Sequence, residues 1–149
     1  SRTEFFLAKA FVLACIALLQ VIISLVIAFI PATILNGFGT MPDGFIGNLL
    51  ITISLQFLCL LAWLSIVSFI LYVSHSYLAV FIGYFVSSIL LSMPMLIFPS
   101  IKILPYLSLQ FTYAMTANSE SIFYTIIVTL VVIVIFNIGG LAVFKKKSL

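Results

Sequence analysis

The sequence predicts an all-α protein: a polytopic transmembrane helical bundle with four spanning helices plus a short re-entrant or interfacial external segment. Three observations predict it. Of 149 residues, 65% are hydrophobic and 6% charged, against about 45–50% and about 25% in soluble domains. Mean hydropathy is +1.45. The few charges bound long uncharged runs, from Lys9 to Asp43, from Asp43 to Lys102 and from Glu120 to Lys145. There is too little polar surface to cover a water-facing globule. Disorder is excluded, because it needs low hydrophobicity and high charge. The two cysteines have no CxxC or Cys/His spacing, so neither a disulfide framework nor a metal site is expected. Runs that are continuously apolar, rather than alternating, count against a β-barrel.

A span needs about 20 apolar residues, because a helix rises about 1.5 Å per residue across a hydrocarbon core of about 30 Å. The first predicted span covers 11–30 and is stopped by Pro31. An external loop over 31–48 carries the turn signals Asn36-Gly37, Gly39 and Pro42-Asp43-Gly44. The second span covers 49–73 and the third 77–98, which Pro99 stops. Between them, Ser74-His75-Ser76 is the one polar cluster in a stretch too long for a single span, so it marks a tight turn. The external segment 99–121 is too long for a tight turn and too apolar for a solvated loop. Pro99 and Pro105 break it early, while Ile103, Leu104, Leu107, Leu109 and Phe111 want an apolar environment. A re-entrant helical segment, tolerated where protein or a wet cavity satisfies its backbone, and an amphipathic helix on the outer surface both fit. The fourth span covers 122–144 and ends at Lys145-Lys146-Lys147.

Four spans put both ends on one side. Five of the six basic residues then share that face, with Lys102, Asp43 and Glu120 opposite. The positive-inside rule makes both ends cytoplasmic. Tyr72, Tyr77, Tyr106, Tyr113 and Tyr124 fall near span ends, where amphipathic rings are favoured. Ser1 to Lys9 does not read as a signal peptide. Ser1 stands where an initiator Met would, so the chain is expected to be a fragment of a longer protein or a processed form.

No Asp, Glu, Lys or Arg lies inside a predicted span, and ion-coupled pumps usually keep such a group at membrane depth. Proton coupling within this chain is therefore not expected. His75, the single histidine, reads as a solvated turn residue rather than a proton carrier. Neutral polar residues form stripes. Thr52, Gln56, Cys59 and Trp63 share one helix face, Gln20 and Ser24 are one turn apart, and Thr125, Thr129, Asn137 and Gly140 lie close to one face. Gly83 with Ser87 and Ser88 with Ser92 are small-xxx-small pairs suited to close packing. The plainer reading of every stripe is helix–helix contact. The functional reading is a substrate path along Gln20, Ser24, Thr52, Gln56 and Asn137. Pro94 should kink or locally unwind the third span, as a gate hinge or as ordinary curvature. Cys15 and Cys59 read as small apolar fillers.

The opening Ser1-Arg2-Thr3-Glu4-Phe5-Phe6-Leu7-Ala8-Lys9 resembles a segment of ABC-2-type transporter permeases, the membrane subunits of one class of ABC exporter. There a short cytoplasmic coupling helix ends in a pattern like S-R-x-x-[FL]-[FL]-x-x-K before the third span. The matching positions here are Ser1, Arg2, Phe5, Phe6 and Lys9. Beyond that motif the likeness is architectural, and it runs to the basic tail Gly139-Gly140-Leu141-Ala142-Val143-Phe144-Lys145-Lys146-Lys147. The family has six spans, so the resemblance implies that the chain is the last four and does not transport alone. It implies an ABC ATPase subunit as partner, binding ATP and Mg, and a second permease copy or paralogue, in a bacterial plasma membrane. Ser1, Arg2, Thr3 and Glu4 would lie at the ATPase contact, with Arg2 pairing an acidic residue and Lys9 anchoring the span. The chain itself holds no Gly-x-x-x-x-Gly-Lys-[Ser/Thr] phosphate loop. No cofactor, metal or nucleic acid is expected on it, and no catalytic residue.

A neutral, apolar interior with Ser, Thr and Gln suits amphipathic cargo, such as antimicrobial or cytolytic peptides, drugs or lipid-like molecules. Compact external loops are similar to those of lantibiotic-immunity and peptide-export permeases. The alternative is a four-span scaffold or sensor subunit that transports nothing. A secondary transporter is disfavoured by the missing intramembrane carboxylate. An intramembrane enzyme is disfavoured by the missing nucleophile–base pair or metal cluster.

Overall fold

A computed structural model describes residues 2–37, 39, 43–110 and 119–146, apart from the side chains of Arg2 and Asn36. Five helices follow in order: α1 (Arg2–Asn36), α2 (Phe45–Ser74), α3 (Tyr77–Ile97), α4 (Leu104–Leu107) and α5 (Ser119–Lys146). No strand occurs among the described residues. Four of these helices, all but α4, are long and apolar enough to cross a membrane, as a multi-pass membrane protein requires. They run up, down, up and down. One end of the bundle therefore gathers the start of α1, the end of α2, the start of α3 and the end of α5, and is called basal below; the other is apical.

The centre is the α2–α5 seam. Leu55, Cys59, Ala62 and Ile66 form the buried stripe of α2, at the i, i+4, i+7, i+11 spacing of one helix face. Ser121, Thr125, Val128, Thr129, Val132 and Gly140 form that of α5. Small and β-branched residues let the two backbones approach, as membrane helix interfaces require. The buried hydroxyls stay satisfied within α5: Thr125 Oγ1 donates to Ser121 O at 2.8 Å and Thr129 Oγ1 to Thr125 O at 2.7 Å. Large apolar side chains such as Ile27, Phe81 and Ile138 point outward, where hydrocarbon tails are as apolar as a core. Helix α3 buries no residue fully and is the outermost.

The tight turn forms as expected. His75 closes α2 in the left-handed region at φ 53, and its N–H donates to Leu71 O. Ser76 caps α3, its side chain accepting from the Ala79 N–H. The α2–α3 contact is close at Gly83, where an added Cβ would lie 2.9 Å from Ile70 Cδ1 and 3.1 Å from Ile70 Cγ2. Gly83→Ala is expected to destabilise the bundle by about 1 kcal/mol, and Ile70→Val to relieve part of that. Unfolding of both variants in mixed micelles checks it.

Three expectations are corrected, at Pro31, in the loop after it and at Cys15. Pro31 does not stop the first span, because α1 continues to Asn36. A proline withholds only its own N–H, and in an apolar medium abandoning the helix would orphan many more backbone groups. Thr33 Oγ1 donates to Phe29 O and Ile30 O beside the proline. The stop is Gly37, at φ 70, whose N–H donates to Thr33 O, a glycine C-cap. Helices α1 and α2 accordingly leave 37–44 between them, less than the 31–48 expected. Of the two expectations at Pro94, unwinding is not seen: α3 stays helical to Ile97 and closes with the Phe98 N–H on Pro94 O. Cys15 is exposed on α1 and fills no core space, whereas Cys59 is buried as expected.

The described part of segment 99–121 folds inward. It carries α4, and Ser108 and Leu109 after it are each 3% exposed. Leu109 joins Ala62, Ile66, Val128 and Val132 in the core, with Ile103, Tyr106 and Leu107 packed against it. Leu109 takes φ 55, a region disfavoured by about 1–2 kcal/mol for a side-chain-bearing residue, and its burial offsets that. Tyr106 packs on Tyr124 at 5.6 Å. Packing against the bundle, not a helix lying free on its surface, accounts for this burial. Residues 111–118 and Tyr113 lie outside the described residues. An exposed pair, Lys102 Nζ to Glu120 Oε2 at 3.7 Å, ties the two ends of the segment weakly.

Candidate functional site: a basal cavity under an aromatic seam

Phe5 and Phe6 enter the first turns of α1, and Phe6 faces the bundle at 5% exposure. Its ring lies 5.6 Å from Tyr72 at the end of α2 and 6.0 Å from Phe144 at the end of α5. Tyr72 and Phe144 meet edge-on at 5.6 Å, so three helix ends share one ring cluster. Gly140 makes room for it: a Cβ there would sit 3.4 Å from Tyr72 and 3.6 Å from Phe6. On the outer side Phe5 stacks on Phe144 at 6.2 Å. Lys9 Nζ lies 4.6 Å above the Phe5 ring and 5.9 Å from that of Phe144, a cation–π arrangement.

Beside this cluster, between α1, α2 and α5, lies a half-open cavity of about 180 Å³. Helix α1 lines it with Phe6, Ala10 and Leu13, and α5 with Ile133 and Asn137. Helix α2 contributes Leu61, Leu64, Ser65, Ser68 and Tyr72. Ser65 and Asn137 are each nine residues from the basal ends of α2 and α5, about 14 Å along the axes. Asn137 Nδ2 donates to Ser65 Oγ at 2.9 Å and to Ile133 O at 2.8 Å. Ser65 Oγ in turn donates to Leu61 O. This is a polar bridge across the α2–α5 seam in a mostly apolar wall.

Among the residues the sequence marks for a path, Asn137 alone lines the cavity. Gln20 and Ser24 lie on the exposed side of α1, where Ser24 Oγ donates to Gln20 O. Thr52 and Gln56 are half-buried on α2, apical to the cavity. Pro94 is half-buried near the apical end of α3. At the proposed coupling contact, Thr3 is half-buried and Glu4 exposed in the first turn of α1. Ser1 and the Arg2 side chain lie outside the described residues. Ser65, Ser68 and Tyr72 went unmarked, although their i, i+3, i+7 spacing puts them on one helix face. No group of His, Cys, Asp and Glu able to hold a metal occurs among the described residues. Compared with family models, with curated proteins and with solved structures, the chain matches none.

Proposed function

We propose that the chain is part of the membrane permease of an ATP-driven ABC exporter, similar to the ABC-2 type, in a bacterial plasma membrane with its basal end cytoplasmic. A separate ATPase subunit binds ATP and Mg, and a second permease copy or paralogue completes the pathway. Its cargo is amphipathic: peptides, drugs or lipid-like molecules.

One observation carries the reading. The residues that resemble the family's coupling segment are joined by Phe6 to the ends of both α2 and α5. A push applied at Ser1 to Glu4 therefore reaches three helices at once. A decorative N-terminus would not need a 5% exposed phenylalanine under two other rings.

The test is co-purification. The full-length gene product, tagged and expressed with its genomic neighbours, is purified in mild detergent. A soluble ATP-binding protein is expected to accompany it, and Arg2→Glu to release that protein at least tenfold. Retention after reversal removes Arg2 from the contact but keeps the permease. If no ATPase binds, the four-span scaffold takes its place. That second reading draws on Gln20 and Ser24, whose outward position suits contact with another membrane protein.

A further inference from the structure

The basal cavity presents a defined set of unused polar atoms. The Ile133 carbonyl can only accept, so the Asn137 atom facing it must be the amide nitrogen. That nitrogen donates to Ile133 O and Ser65 Oγ, which uses both its N–H groups. Asn137 Oδ1 accepts no hydrogen bond from the described residues, and Ser68 Oγ makes none with them. Both residues line the cavity, and no charged side chain lines it among the described residues. The wall thus offers the Asn137 acceptor and the Ser68 hydroxyl, beside the Tyr72 phenol, in a half-open and mostly apolar cleft.

The geometry points to a binding site for a neutral, hydroxyl-bearing apolar molecule of about one aromatic ring in size. Its hydroxyl donates to Asn137 Oδ1 and accepts from Ser68 Oγ, and its apolar body packs on Leu13, Leu61, Leu64 and Ile133. Size is compatible: a closed apolar cavity of about 150 Å³ accepts benzene, and this cleft, open on one side, holds about 180 Å³. Charge agrees too: a cation or anion would find no counter-charge in these walls, and burying it unpaired is prohibitive. A purely apolar ligand would leave Asn137 Oδ1 unsatisfied. The site does not rest on the exporter reading, since a chain without an ATPase partner would still bind.

The probe is 4-fluorophenol, titrated by fluorine NMR against the full chain in micelles, with fluorobenzene as its hydroxyl-free counterpart. Saturable binding of the phenol is expected, with fluorobenzene about tenfold weaker. Ser68→Ala should weaken the phenol about threefold and Asn137→Leu about tenfold, while Ala10→Phe fills the chamber and abolishes binding. Helicity by circular dichroism shows whether each variant folds. If Asn137→Leu does not, Ser68→Ala and the two probes on the unaltered chain decide. Signals that match empty micelles, equal affinity for both probes, or binding that survives Ala10→Phe would overturn the site. The first result means that water alone occupies the cavity.

Discussion

Replacing Phe6 by alanine is expected to detach the start of α1 from the bundle. In water such a truncation costs about 3–5 kcal/mol. In a bilayer the transfer part of that figure is absent, because lipid is as apolar as the interior. Lost packing and two ring pairs remain, at about 0.5–1.5 kcal/mol per pair, so about 2 kcal/mol is expected. Phe5→Ala is the control: Phe5 is 55% exposed, and its loss removes one stacking contact and the Lys9 cation–π contact. It should cost at most about 1 kcal/mol. Unfolding in mixed micelles measures both, and similar losses would mean that the cluster does not hold α1.

The second large effect is expected at Ile66, 1% exposed at the α2–α5 seam and part of the core that includes Leu109. Ile66→Ala opens a void in the α2–α5 seam. Such voids are destabilising by about 24 cal/mol per Å³ left empty, so about 2–3 kcal/mol is expected. Ile82→Ala, on the exposed face of α3, should change stability by less than about 0.5 kcal/mol, because lipid fills the space. A comparable loss at both positions would show that the outward face of α3 is packed, not lipid-exposed.

The four spans and the Ser74–Ser76 turn were legible because charge and polarity punctuate an apolar chain. The end of α1 was not. Pro31 breaks helices in water, where released carbonyls find solvent, but inside an apolar layer the helix is the cheaper state and Gly37 ends it. Inward folding at Ser108 and Leu109 was one of two options, since apolar composition suits protein and lipid alike. Asn137 was legible as part of a stripe, yet its partner Ser65 is 72 residues away, and no local spacing reveals such a pairing. Phe6 stood in the opening motif, whereas its contacts with Tyr72 and Phe144 are tertiary.

The central claim is that force at the basal end drives export. The direct measurement is ATP-dependent uptake of a fluorescent amphipathic peptide into inside-out vesicles containing the full-length protein with its co-expressed neighbours. The account predicts uptake that needs ATP and Mg and falls at least tenfold in Phe6→Ala, with the ATPase still bound. Uptake that is independent of ATP, or unchanged by Phe6→Ala, would contradict it.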